Sequence, residues 1–355
     1  MAQSLNMKQI EKNVEVMMHI KVGVGTLLML ALGIGVSGCT TEPMQQDLTM
    51  AQQLAVRDGH PIMKHLYILQ AIAQENGGNR AVGTAGGQAT AKYILDEAKK
   101  AELTAQMLPF ENRNKIVGQN IIVEIQGQSK NTAIIVGGHY DSVKMGPGIN
   151  DNGSGVAVLL ELMHHYAKTK PKHTVYLAFW DSEEDGIGGS KDFVSQLTET
   201  QLKGIQAYIN IDMVGTKNPT IQIADGDHSS IDDMEKMLKA RGMKEAEYKP
   251  LTDGLRKIPK HAGDLALEQQ MKAFFKTKGI EVKEDVSTLA ASDTAPFLGK
   301  VPVTSLILFN EQMKGDELEF APCYHKACDT IELIDPKSLQ LSLEAVKDLM
   351  DHLNQ

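Results

Sequence analysis

Apolar positions fall into two patterns along the chain. From about Asp47 to Ala101 they recur at helical spacing: HPIMKHLYILQAIAQ places apolar residues three and four apart, and GGQATAKYILDEAKKA repeats the pattern after the turn cluster NGGNRAVGTAGG. The spacing predicts two helices joined by a Gly-rich loop. Further on, the runs NIIVEIQG, TAIIVGGHYD, TVYLAFWD, AYINIDMVG, TIQIAD and VTSLILFN are short and mostly continuous in apolar character, as strands covered on both faces are. Helical stretches lie between several of them, notably GSGVAVLLELMHHYAK, and SLQLSLEAVKDLMDHL ends the chain. This alternation predicts one α/β domain over residues 47–355, with a mostly parallel mixed sheet covered by helices on both faces. The segment from Gly226 to about Ser287 is more polar and mostly helical. No Pro/Ser/Gly-rich linker and no internal repeat sets it apart, so it reads as an excursion of the same domain.

The N-terminal region follows neither pattern. Residues Val22 to Val36 (VGVGTLLMLALGIGV) follow Lys21 and run into Val36-Ser37-Gly38-Cys39. The stretch is shorter than the roughly 20 residues a spanning helix needs, and small residues precede the cysteine, so a signal peptide outranks a transmembrane anchor. Residues 1–38 resemble bacterial lipoprotein signals ending in a lipobox. That resemblance implies cleavage before Cys39, acylation of its thiol, and an exported chain anchored to a membrane surface. Residues 39–46 (CTTEPMQQ) read as a short lipidated tether. Met17 or Met18 would make a more ordinary start for such a signal than Met1.

Composition narrows the function classes. With 355 residues, 42% of them hydrophobic and 23% charged, the chain matches a globular protein with a sizeable core. Its formal charge of -9 argues against a general nucleic-acid binder, which needs a basic face to neutralise phosphates. Acidic clusters are then cation ligands or solvated surface.

Several strands run into metal-binding residue types. TAIIVGG leads to His139-Tyr140-Asp141, the next loop carries Asp151, TVYLAFWDS leads to Glu183-Glu184, AYINI leads to Asp212, and a late loop holds Tyr324-His325. In open α/β sheets ligands bind beyond the carboxyl ends of strands, where residues distant in sequence converge. Imidazole and carboxylate are the donors zinc takes when a position must stay open for water. Each piece alone is commonplace, since H-x-D pairs, Glu-Glu doublets and a lone Asp after a strand are usually surface or cap residues. Their succession at strand ends favours metal chemistry, and two histidines with three carboxylates suit two metals.

The segments GGHYDS, GINDNGSGVAVLLEL, FWDSEEDGIGGSKDFV, NIDMVG, SDTAPF and PCYHKACDT resemble the co-catalytic, two-zinc aminopeptidase family of secreted bacterial aminopeptidases, related to glutamate carboxypeptidase and glutaminyl cyclase. The resemblance covers nearly all of the chain after the tether, from HLYILQAIAQENGGNRAVGTAG onward. It implies that His139 and Asp212 bind one zinc ion, that Glu184 and His325 bind a second, and that Asp151 bridges them. Glu183 then acts as general base on a water shared by the ions, and passes the proton to the departing amine. Tyr324 matches the tyrosine that donates to the tetrahedral oxyanion, and Asp141 accepts a hydrogen bond that fixes the His139 ring. Cys323 and Cys328 flank His325. In an exported protein a pair so close favours a disulfide that stiffens this loop, the pattern of secreted family members, over two free thiols.

The resulting expectation is a metallo-aminopeptidase that removes N-terminal residues from peptides. Glu183 and Asp212 are candidates for recognising the free α-amine. A carboxypeptidase or glutaminyl cyclase of the same family, and a peptide-binding lipoprotein without turnover, are the alternatives. His164, His165, His173, His228 and His261 lie outside the motifs and receive no role. Asp225, Asp227, Asp232 and Asp233 fit no EF-hand spacing and read as solvated surface.

Overall fold

Residues 60–314 and 317–355 are described by a computed structural model of the chain. The expected signal, lipobox Cys39 and tether lie outside the described residues. Among the described residues no helix is long and apolar enough to cross a membrane.

The two N-terminal periodic stretches form α1 (Met63–Glu75) and α2 (Ala85–Lys100). Thr84 starts α2, its side-chain oxygen accepting a hydrogen bond from Gly87 N and so satisfying one of the free amides of the first turn. The chain then runs through β1 (Thr104–Glu111), β2 (Val117–Ile125), β3 (Ser129–His139), α3 (Ser154–Tyr166), β4 (His173–Trp180), α4 (Gly188–Ser195), α5 (Glu199–Gly204) and β5 (Ile205–Asp212). It continues with β6 (Thr220–Ala224), α6 (Ser230–Ala240), α7 (Glu245–Leu255), α8 (Asp264–Thr277), β7 (Lys283–Asp285), α9 (Ser287–Ala290) and β8 (Val303–Phe309). A hairpin of β9 (Gln312–Lys314) and β10 (Glu317–Glu319) precedes the terminal α10 (Pro336–Leu353).

Eight strands form one sheet in the order β1-β2-β4-β3-β5-β8-β6-β7. Its centre, β4-β3-β5-β8, is parallel, while β1, β2 and β6 join antiparallel to their inner neighbours. Alternate residues of the central strands face opposite layers, as a period of two requires. Ile134, Val136, Ile209 and Leu306 pack with α1, α2, α3, α8 and α10, while Ile135, Trp180 and Tyr208 pack with Val194, Leu289 and Phe297 on the other face. The expected α/β architecture is therefore the one observed.

Two strands of this sheet, like the short β9–β10 hairpin beside it, carry too little pattern to be read in advance. β1 pairs only with β2, buries Phe110 alone and contains Pro109, so as a solvated edge it lacks the apolar alternation that marks a strand. β7 is a three-residue segment, KED, held by backbone pairing to β6.

Strands β3, β4 and β5 point their carboxyl ends to one edge, and the loops that leave them are held by buried polar contacts. Arg80, fully buried before α2, donates from Nε to Pro147 O at 2.9 Å and from its terminal nitrogens to Tyr140 O and to Gly148 O, the last at 2.6 Å. Gly138 sits on β3 against β5 and the Asp151 loop: a Cβ there would lie 2.4 Å from Ile211 O and 3.1 Å from Asn152 Nδ2. Only a residue without a side chain fits.

Gly138→Ala is expected to lower unfolding free energy by about 1–3 kcal/mol through overpacking, read as a shifted urea midpoint with an unchanged slope. Arg80→Met should cost on the order of 3 kcal/mol in the same measurement, because buried carbonyls lose their donors. Midpoints within error of the parent chain would show that these loops are held by something else.

Candidate metal centre

The structure brings His139, Asp151, Asp212, Glu184 and His325 to the carboxyl edge of the sheet. His139 is the last residue of β3 and Asp212 the last of β5, Glu184 follows β4, Asp151 lies in the loop before α3, and His325 lies beyond the β9–β10 hairpin. Asp151 stands in the middle. Its Oδ1 is 3.2 Å from His139 Nε2 and its Oδ2 is 3.2 Å from His325 Nε2. On the His139 side, Nε2 is also 3.6 Å from Asp212 Oδ1. On the His325 side, Nε2 is 3.1 Å from Glu184 Oε2. Tetrahedral donors at zinc distances lie about 3.3 Å apart, so each of these histidine–carboxylate contacts has the spacing of two ligands on one cation.

Other atoms of the site call for a cation as well. Asp212 Oδ1 and Glu184 Oε1 are buried without a hydrogen-bond partner, a costly state for a carboxylate oxygen. Ligand atoms of His139, Asp151 and Glu184 lie within 4.8 Å of one another. Oxygen and imidazole nitrogen, with no thiolate, are the donors of a hydrolytic rather than a structural zinc site. The donor set therefore fits divalent metal.

Protonation in the metal-free chain follows from the same crowding. Burial would lower the His139 imidazole, but Asp212, Asp141 and Asp151 around it raise it well above its ordinary value. Burial likewise opposes charge on His325, and Asp151 and Glu184 outweigh it, lifting the group to about 11. Burial, then the Asp151 charge, pushes the Glu184 carboxyl up to about 7. Asp151 goes the other way: burial raises it, but hydrogen bonds from His139 and His325 bring it below the usual carboxylate range.

The remaining predicted residues surround this cluster. Glu183 N donates to Asp141 Oδ1 at 3.1 Å, which ties the Glu183-Glu184 turn to the end of β3. Burial, then Asp293, Glu184 and Asp212, push the Glu183 carboxyl well above its ordinary value against the pull of His139. The Nδ1 atom of His139 lies 3.4 Å from Asp141 Oδ1 and 3.3 Å from the Asp141 carbonyl oxygen. Tyr324 stacks on His325 with centroids 3.7 Å apart, and burial among Asp151, Glu184 and Glu183 keeps its phenol protonated, a hydrogen-bond donor. Cys323 and Cys328 are disulfide-bonded, closing the loop that carries both residues. A shallow cleft lined by Val143, Gly148, Lys326 and Asp329 opens onto Asp151, Glu184 and His325.

Backbone conformation around the cluster is unusual. Ser182, Met213, Cys323 and His325 have φ of 64°, 49°, 65° and 56°, in the left-handed region that side chains other than glycine rarely adopt. Each is a ligand of the candidate centre or lies within two residues of one. Such conformations persist where surrounding contacts over-determine them.

Those contacts come largely from residues that sequence reasoning did not single out. Asp329 accepts from Asn150 N at 2.9 Å and Asp151 N at 3.0 Å, joining the His325 loop to the Asp151 loop. Asn152 Oδ1 accepts from Met213 N, Asn150 Oδ1 from Gly215 N and Ser154 Oγ from Val214 N, so this loop supplies partners for the segment after Asp212. Ser292 Oγ donates to Asp212 Oδ2 at 2.8 Å and accepts from Asn210. Asp293 accepts from Ser190, and burial pushes its carboxyl up to about 7. Asp329, Ser292 and Asp293 all fall inside quoted motifs, so position was available but role was not. Arg80 lay in a turn cluster that shows no chemical pattern.

A family model described as Peptidase family M28 matches residues 120–350. Leupeptin-inactivating enzyme 1 of Streptomyces exfoliatus is 29% identical over 298 residues, 80% of this chain and 59% of that protein. The probable lipoprotein aminopeptidase LpqL of Mycobacterium tuberculosis is 33% identical over 253 residues, 68% of this chain and 45% of that protein. The chain thus spans about half the length of these curated relatives. Among solved structures, the zinc aminopeptidase BSAP of Bacillus subtilis superposes with a TM-score of 0.60 at 16% identity, covering 87% of this chain and 95% of that one. At that identity the likeness speaks for the fold, while the family model spans well over half of the chain, including each of the strand-end donors described above. The chain is a member of peptidase family M28.

Proposed function

We propose that this chain is an aminopeptidase that holds two zinc ions at the sheet edge. His139 and Asp212 would hold one ion, Glu184 and His325 the other, and Asp151 would bridge them. The observation that carries this reading is the position of Asp151, whose two oxygens each face a different imidazole at 3.2 Å. When bound, the zinc pair supplies Lewis acidity, making water a nucleophile near neutral pH and polarising a carbonyl.

The chain's own groups do the rest. Glu183 follows the strand end beside the ligands without belonging to either donor set, which leaves its carboxylate to take a proton from water and deliver it to the departing amine. Tyr324 offers its phenol proton to the oxyanion of the tetrahedral intermediate. Asp141 orients His139 so that Nε2 faces the ligand cluster. Glu183 and Asp212 provide the negative charge that a free α-amine seeks and a blocked one does not. The disulfide holds Tyr324 and His325 on one short loop, which favours position more than stability.

Peptides are the proposed substrates, and the outer side of a membrane the proposed location. The Val22–Val36 run and Cys39 support a lipid anchor, as does similarity to a relative whose name is that of a probable lipoprotein aminopeptidase.

The full chain, purified in detergent and loaded with zinc, is expected to cleave leucyl-anilide and leave N-acetyl-leucyl-anilide intact. Glu183→Gln should lower kcat by about 10²–10⁴-fold while zinc content is retained. Binding of zinc without cleavage of either compound would redirect the search to carboxypeptidase and cyclase substrates. Metal analysis should give at least two zinc ions per chain, and chelation should abolish turnover until zinc is restored. Full activity after exhaustive chelation would sink the metal reading.

A further inference from the structure

A second group of ligand-type side chains lies away from the sheet edge, in the seam between α1, α2 and α3. His65 on α1 is fully buried and Glu97 on α2 is 6% exposed. Glu161 and His164 on α3 are partly buried, with side chains 21% and 30% exposed. Ligand atoms of His65, Glu97 and His164 lie within 4.8 Å of one another. His164 Nε2 is 2.8 Å from Glu97 Oε2, and His65 Nε2 is 3.1 Å from Glu161 Oε1. The two imidazole rings stack with centroids 6.2 Å apart and an angle of 11°.

We propose that His65, Glu97 and His164, with Glu161 as a fourth ligand, form a zinc site distinct from the centre at the sheet edge. Residues three apart on a helix share a face, so the Glu161-Leu162-Met163-His164 spacing aims both side chains into the seam. Helix bundles hold metals with this Glu-x-x-His arrangement facing carboxylates on neighbouring helices, and here Glu97 and His65 come from two helices that pack against α3. The donors are imidazole and carboxylate, the types zinc accepts, and the contacts of 2.8 and 3.1 Å approach the spacing of adjacent ligands on one ion. Tyr93 OH is 2.6 Å from His65 Nδ1, which engages that nitrogen and leaves Nε2 for the ion, the outer contact a ligating histidine usually has. Lys100 pairs with Glu97 Oε1 at 2.6 Å, leaving Oε2 toward His164, while Lys64 pairs at 3.0 Å with Glu161 Oε1, the oxygen that also meets His65 Nε2, so Lys64 yields that oxygen to the ion. The partial exposure of Glu161 and His164 gives the ion its way in. Bound there, zinc would clamp α1 and α2 onto the central helix α3.

Zinc content decides the matter. The full chain is stripped with chelator, reloaded with zinc, gel-filtered and analysed for bound metal beside Glu97→Gln and His164→Gln. The parent chain is expected to retain one zinc ion more than either variant, a difference independent of how many ions the sheet edge holds. Glu97→Gln keeps size and hydrogen-bonding capacity, so it answers the question should His164→Gln fail to fold. Zinc should also raise the Tm of the parent more than that of Glu97→Gln, while the metal-free forms retain the same circular dichroism. Equal zinc content in all folded forms would overturn the proposal and leave the cluster a hydrogen-bonded helix seam.

Discussion

Carboxylates packed against one another out of water dominate this structure. Asp151, Asp212 and Glu184 share the carboxyl edge of the sheet with Asp141, Glu183 and Asp293, where burial penalises each charge and each charge penalises the next. Such a group persists only if something positive sits among them. His139 and His325 provide part of it when protonated, and Arg80 provides a fixed positive charge that Asp141, Asp329, Asp151 and Glu184 favour. Burial lowers the Arg80 guanidinium to about 10, so it remains charged throughout the neutral range.

Loops at the end of a parallel sheet leave backbone amides and carbonyls with no strand to pair with, and these must be satisfied before any ligand is placed. Here polar side chains substitute for the missing ladder. Asn150, Asn152 and Ser154 receive the amides that follow Asp212, Asp329 receives those of Asn150 and Asp151, and Arg80 caps the carbonyls of the loop between them. The donors therefore sit on loops that are rigid because they are buried. That rigidity lets His325 and Ser182 hold a left-handed backbone, and it makes Gly138 indispensable where two strands and Asn152 close on one another.

Much of this was readable in advance, for identifiable reasons. Continuous apolar runs revealed β2, β3, β4, β5, β6 and β8 because strands covered on both faces leave no room for polar residues. Donor residues were visible because His139, Asp212 and the Glu183-Glu184 doublet interrupt or end those runs with groups that no apolar core tolerates unpaired. β1 and β7 were not readable, since an edge held by backbone hydrogen bonds leaves no side-chain signature. Arg80 was hidden for a related reason: its partners are main-chain carbonyls, and any sequence has those.

By itself, then, the sequence determined the class of fold, the order of its covered strands and the types of donor that follow them, because hydrophobic period and residue chemistry are local properties. Tertiary structure alone decided that the two oxygens of Asp151 face different imidazoles, that Asp329 joins loops 178 residues apart, and that Glu97 meets His164 across two helices. Those are distances between atoms far apart in the chain, and they are set by the register of strands and the packing of helices rather than by any one segment.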